Sequence, residues 1–206
     1  MKAASRDRRR DEILDHAVAV LAERGYRDAS MLEIAKRASA SKETLYAWFG
    51  DKLGLFEAVI RRNAETVQGL LHSHLESDAS PETALPEFGR ALYALLLGDS
   101  AVAINRAAIS EARAEPHLAE TLARAGRDAT LPAFLRYLER QQERGTLQLD
   151  TTPEDAAEVY LGLLLGDRQV RRLLGRIPAP KKKEIDARAT SATRRFLRLY
   201  KVSKGI

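Results

Sequence analysis

Apolar positions recur at helical spacing along nearly the whole 206-residue chain, and the interruptions divide them into segments. Ile13, Leu14, Ala17, Val20 and Leu21 form the stripe of a first helix that runs to about Arg24 and stops at Gly25, a residue suited to the position after a helix. The four basic residues Arg6, Arg8, Arg9 and Arg10 precede the first helix, where cations oppose its dipole, and read either as an arm that meets phosphates or a narrow minor groove or as a frayed tail partly balanced by Asp7, Asp11 and Glu12. Ile34, Ala35 and Ala38 give a short second helix its apolar side, and Leu45 and Phe49 stand one turn apart on a third. From Lys52 the residues Phe56, Val59, Ile60, Val67, Leu70, Leu71 and Leu75 keep the period to about residue 77, which predicts one long helix. Ser30, Ser41 and Asp51 each precede one of these runs. A side-chain oxygen there accepts a free first-turn amide, so three caps set three helix starts in one short stretch.

After Asp78–Pro81 the pattern stays helical, with segments from about Glu82 to Leu97, from 100 to 114, from Pro116 to about Arg124, and from Gly126 to Gly145, the last with Pro132 in its opening turns. Thr152 caps a further helix over 153–174, with Pro153 at its first position. Gly162 and Gly166 lie four apart in it, a spacing that lets another helix come close. Beyond Pro178 and Pro180, the residues Ile185, Ala189, Ala192, Phe196 and Leu199 repeat at spacings of 4, 3, 4 and 3, a heptad-like seam. Period-two alternation is confined to Thr146–Leu149, too short for a sheet. The fold class is therefore all-α, about nine helices in total. It divides into a three-helix head over residues 7–52 and a helical body over 53–206.

Composition narrows the classes. An apolar fraction of 45% is that of a folded globular chain, and the absence of cysteine excludes disulfides, thiolate metal sites and a cysteine nucleophile. No apolar run approaches membrane-spanning length, and the charged N-terminus has no apolar stretch behind it, so the expected location is cytoplasmic. The net charge of +5 is segregated. Residues 1–62 carry 13 basic and 10 acidic side chains, 63–175 carry 11 and 17, and 176–206 carry 10 and 2. Basic ends around an acidic middle suit a protein that meets nucleic acid at one end.

The third helix supplies the candidate chemistry. With Leu45 and Phe49 turned inward, Glu43, Thr44 and Ala47 point outward, and Lys42, Tyr46 and Trp48 lie on the flanks. Small and hydrogen-bonding side chains at the tip, with cationic and aromatic residues at the edges, fit a helix that enters the major groove of DNA. Lys42, Tyr46 and Lys52 are then placed for the flanking phosphates, and Ser30, Ser41 and Lys52 sit at helix starts whose free amides favour an anion.

The run Ser41-Lys42-Glu43-Thr44-Leu45-Tyr46-Ala47-Trp48-Phe49, followed by Asp51-Lys52 and Leu55-Phe56, resembles the helix-turn-helix domain of TetR-family transcriptional regulators. Gly25-Tyr26, Ser30-Met31 and Ile34-Ala35 stand where that family's pattern expects them, so the resemblance covers about residues 8–62. Two positions depart from it. Ser39 holds the turn position where the family usually has glycine, and Ala40 stands where a larger apolar residue is usual. A positive φ at Ser39 costs more than it would at glycine. Residues 80–175 resemble the C-terminal domain of the AefR-like branch.

The resemblance implies a ligand-responsive regulator of transcription, most often a repressor released from a palindromic operator by a small molecule, with double-stranded DNA and a small-molecule effector as partners. It implies a homodimer, here through about residues 153–174 and 181–200 as a four-helix interface. A long fourth helix would connect head to body, and the effector would sit among helices of the body, where Tyr93, Asn105, Arg106, Tyr137 and Tyr160 are the candidate polar contacts. The alternatives are a ligand-insensitive DNA-binding protein with a structural body and an all-helical enzyme. For the enzyme, Glu111 and Glu115 share a helix face with Ser110 beside them, but no histidine stands at a matching spacing, and no Gly-rich phosphate loop or Glu-x-x-His pair occurs. His72 and His74 point to different faces. No metal, no cofactor and no catalytic activity are expected.

Overall fold

The computed structural model describes residues 2–114 and 116–202, with eleven α-helices among them. In chain order these are α1 (Lys2–Asp28), α2 (Met31–Arg37), α3 (Lys42–Phe49), α4 (Lys52–Glu76), α5 (Pro81–Leu97), α6 (Asp99–Glu111), α7 (His117–Leu122), α8 (Asp128–Glu143), α9 (Pro153–Leu165), α10 (Arg168–Leu173) and α11 (Lys182–Tyr200), with a π-helical turn at Ala123–Arg127. Ser30, Ser41 and Thr152 cap α2, α3 and α9 by accepting the amides of Glu33, Thr44 and Asp155 at 3.2, 3.0 and 3.1 Å. Asp51 Oδ1 accepts the Gly54 amide at 2.7 Å at the start of α4. All four caps are where the sequence puts them.

Two expected boundaries move. Arg6, Arg8, Arg9 and Arg10 do not precede the first helix; they lie within α1, which is already formed at Lys2 and is interrupted at Gly25, with φ 76° and ψ 174°. The segment 153–174 is not one helix. Gly166 leaves the helical region at φ 53°, its amide bonds to Gly162 O, and α10 starts anew at Arg168, so Gly166 is a break in the expected helix. That break divides one expected helix into α9 and α10 and takes the count among the described residues above the expected nine.

The helices collect into two compact units that are discontinuous in sequence. The first joins the residues up to Asn63 with Asp99–Arg127. Its core is built from Ile13, Leu14, Ala17, Val20 and Leu21 of α1, Ile34 and Ala35 of α2, Leu45 and Phe49 of α3, Leu55, Phe56, Val59 and Ile60 of α4, and Ala103, Ile104, Ala107 and Ala108 of α6. Each fully buried leucine, isoleucine or phenylalanine adds roughly 1.5–3 kcal/mol. Ion pairs pin the outside: Arg37 reaches Glu23 at 2.6 Å and Glu33 at 3.0 Å, holding the Glu23 carboxyl below the usual carboxylate range. Arg62 binds Asp15 at 2.8 Å, and Arg124 meets Glu57 at 3.3 Å.

The second unit comprises Ala64–Gly98 and the residues from Asp128 onward. Here α11 packs on α5 and α9, and a chain of rings runs through the centre. Phe88 lies 4.4 Å from Phe134 and 5.9 Å from Tyr160, and Tyr160 meets Phe196 edge-on at 5.5 Å. The Thr146–Leu149 stretch forms a single antiparallel bridge, Leu147 with Lys201, in which the Gln148 amide donates to Tyr200 O at 2.7 Å. No single helix among the described residues is long and apolar enough to cross a membrane.

Candidate nucleic-acid interface

The α2–turn–α3 segment is held from below by the first core and open above. Leu45 is fully buried and Phe49 nearly so, whereas Ser41, Lys42, Glu43, Tyr46 and Ala47 are exposed and Thr44 is half-buried. The outward face of α3 is thus the one that burial of Leu45 and Phe49 leaves, with Glu43 and Ala47 exposed on it and Thr44 at its edge. Ser41 Oγ serves two partners, the Thr44 amide and, at 3.0 Å, Thr44 Oγ1. The Glu43 carboxyl is held below the usual carboxylate range, first by its own backbone amide and then by the Ser41 hydroxyl. Glu43 therefore presents a carboxylate, a hydrogen-bond acceptor only, at the exposed tip of α3.

The flanks carry cations and rings. Lys42 Nζ lies 5.5 Å from the centre of the Tyr46 ring, so ammonium and phenol travel together on one edge. Trp48 is half-buried against the first core, with its ring 6.4 Å from Phe49 and the Arg6 guanidinium over it at 5.5 Å. Lys52 is tied to the protein: its Nζ donates to Tyr26 O at 2.9 Å and to Arg27 O at 3.5 Å, and stands 4.2 Å from the Tyr26 ring centre. Ser30 is exposed at the start of α2.

Sequence reasoning places the N-terminal arginines before the first helix, as an arm or a frayed tail. In the structure three of the four lie against the helix-turn-helix: Arg9 bonds to the turn carbonyls, Arg6 covers Trp48, and Arg10 sits 5.3 Å from the Phe49 ring centre. The i, i+3, i+4 spacing of 6, 9 and 10 was the signal, because on a continued helix it puts all three on one face.

The candidate effector residues do not gather. Asn105 and Arg106 belong to the first unit, with Asn105 Nδ2 bonded to Ala101 O at 2.8 Å and Arg106 exposed. Tyr93, Tyr137 and Tyr160 belong to the second and are fully buried. Two of their hydroxyls are taken up by the chain itself: Tyr137 Oη donates to Ala79 O at 2.8 Å and Tyr160 Oη to Leu85 O at 2.5 Å. Burial pushes both phenols above their ordinary range. Of the carboxylates weighed for catalysis, Glu111 is buried and faces Arg27 at 3.6 Å, and Glu115 lies outside the described residues. Exposed His72 pairs with Glu76 at 3.1 Å, while buried His74 has Nε2 3.2 Å from Glu87. Among the described residues no three His, Cys, Asp or Glu side chains converge as metal ligands.

A compact helical unit that supports a capped, two-helix turn and exposes the polar face of its second helix defines a helix-turn-helix DNA-binding protein. Residues 13–59 match the bacterial regulatory proteins of the tetR family, and residues 83–202 match the C-terminal domain of AefR-like transcriptional repressors. The chain belongs to the TetR family of transcriptional regulators. It is similar to a TetR-family regulator from Mesorhizobium loti, with 30% identity, a TM-score of 0.77, and 95% of this chain and 98% of that one covered. The flavonoid-responsive regulator FrrA has 28% identity and a TM-score of 0.65 over 95% and 98% of the two chains. The transcriptional activator FasR of Mycolicibacterium smegmatis is 45% identical over 62 residues, which is 30% of this chain and 28% of FasR. The chain thus matches little more than a quarter of FasR's length.

Proposed function

We propose that the chain is a homodimeric repressor that reads a palindromic operator through α3 and is released by a small molecule bound in the body. One observation carries the reading: α3 buries Leu45 and Phe49 and leaves a narrow polar face of Ser41, Glu43, Thr44 and Ala47 between Lys42 and Tyr46. Glu43 and Thr44 read base edges, Lys42 and Tyr46 hold phosphates, and the amides at the starts of α2 and α3 add anion contacts. Lys52 has one ammonium proton left after its two carbonyls, enough for a single phosphate, while Trp48 supports α3 from the side.

One head covers too few base pairs for specificity, so a second copy is required at a set distance. The carboxyl-terminal helices supply the surface. Leu174, Leu199 and Val170 are 69%, 62% and 58% exposed, and a Cβ built at Gly162 meets nothing within 4 Å, which leaves room for another helix. Of the seam residues, Ala189, Ala192 and Phe196 are buried in their own chain, so the partner meets the outer faces of 153–174 and 181–200, with Leu199 the exposed member of the seam. The head over 7–52 reads DNA and the remainder, 53–206, sets the separation.

The name of the flavonoid-responsive regulator FrrA points to a planar aromatic effector for the body, where Tyr93, Tyr137 and Tyr160 remain the candidate contacts. Such a ligand acts by its difference in affinity between two arrangements of the body. The test is the anisotropy of a labelled, protein-selected duplex titrated with the full-length protein, with and without flavonoids and other planar aromatics. Release by one of them supports a repressor. Binding indifferent to all of them supports the ligand-insensitive regulator, and strengthened binding supports an activator.

A further inference from the structure

Ser39, between α2 and α3, has φ 49°. This left-handed conformation costs a residue with a Cβ more than it costs glycine. Two carbonyls flank the kink, and both meet the same side chain: Arg9 Nη2 donates to Ser39 O at 2.9 Å and to Ala38 O. Arg9 Nη1 is fixed in turn by Glu12 Oε2 at 2.6 Å. Ala38 is the C-cap of α2, where the partial negative charge of the helix end favours a guanidinium. On the same face of α1, Arg6 and Arg10 lie over Trp48 and Phe49 at the end of α3.

We infer that Arg9 is a positioning residue for DNA recognition, which holds the α2–α3 turn in its left-handed form through the Ala38 and Ser39 carbonyls instead of binding phosphate. The inference rests on the reading of α3 as the DNA-contacting helix. The turn sets the angle and depth at which α3 is offered, so loosening it misplaces every contact of α3 at once and removes none of the cations that face the duplex. Two hydrogen bonds from Arg9 supply at this turn the constraint that glycine at position 39 would make unnecessary.

The experiment compares full-length wild type, Arg9→Ala, Ser39→Gly and the double variant. It reads amide hydrogen exchange at Ser39 and Ala40, whose amides bond to Lys36 O and Ala35 O, and affinity for a selected duplex at several salt concentrations. Arg9→Ala is expected to speed exchange at both amides by about tenfold and to weaken binding by a similar factor, with the salt slope unchanged. Adding Ser39→Gly should restore most of both. Unchanged exchange, or a salt slope reduced by about 0.9 with no rescue by glycine, would overturn the inference and make Arg9 a phosphate contact. If the wild type binds no duplex, the reading of α3 fails, while exchange and its rescue by glycine still decide what Arg9 does to the turn.

Discussion

The Tyr160 hydroxyl donates to the Leu85 carbonyl at 2.5 Å, and Gly89, one turn further along α5, lies directly against that hydroxyl. A methyl group at position 89 would overlap the phenol oxygen. The approach of α9 to α5 therefore depends on a glycine and a tyrosine together. Gly89→Ala should cost about 1–3 kcal/mol by overpacking, and Tyr160→Phe about 1 kcal/mol by leaving the bond unmade. In the Tyr160→Phe background the cost of Gly89→Ala should shrink, which a double-mutant cycle in urea measures directly.

Tyr137 and Tyr160 also set an alkaline limit. Burial raises both phenols above the ordinary value near 10, so the unfolded chain loses these protons first and binds fewer of them. Stability is thus fully present below about pH 10 and declines as pH rises through and beyond it. Tyrosinate absorbance from these two rings should appear together with loss of helix. Smooth ionisation with the helical signal intact would contradict their burial.

Ser41→Ala removes the acceptor of the Thr44 amide and should destabilise the protein by about 1 kcal/mol. Weaker DNA binding should accompany it, because α3 starts at that cap. Thr152→Ala, which removes an equivalent cap on α9, should cost a similar amount of stability. It should leave the intrinsic contacts of α3 with DNA alone.

Lys42→Ala should weaken binding to every duplex and lower the salt slope by about 0.9. Glu43→Ala should instead change which bases are preferred, since the carboxylate it removes sits at the tip of α3 rather than on its flank. Competition between duplexes that differ at single positions separates the two effects.

Leu174→Glu, at the C-cap of α10, and Leu199→Glu, within α11, place charge on two exposed apolar side chains. If the second copy covers these faces, both variants sediment as monomers at concentrations where the wild type is dimeric. They should then also lose affinity for a palindrome far more than for a half-site.

Caps and stripes made most of the fold legible. Ser30, Ser41, Asp51 and Thr152 act locally, between residues three apart, and such contacts survive in any tertiary setting. The α3 face was legible for the same reason, as burial of Leu45 and Phe49 leaves only one side for Glu43 and Ala47. What escaped were contacts between residues distant in sequence. Arg9 meets a turn some thirty positions away, Lys52 is claimed by the carbonyls of Tyr26 and Arg27, and Tyr160 reaches Leu85 across 75 positions. The heptad-like spacing in α11 left its partner open because a stripe that packs in its own chain and one that packs on a partner have the same period; Ala189, Ala192 and Phe196 pack in their own chain, while Leu199 is exposed. The break at Gly166 was hidden because glycine within an apolar run equally permits close packing.

The most direct test of the account is selection of bound duplex from a random pool by the full-length wild type, with Glu43→Ala selected in parallel. The account predicts a palindrome whose half-site centres lie about one helical turn or somewhat more apart, and an altered base preference inside each half-site for the variant. An asymmetric or featureless pool, or identical half-sites from both proteins, would contradict it.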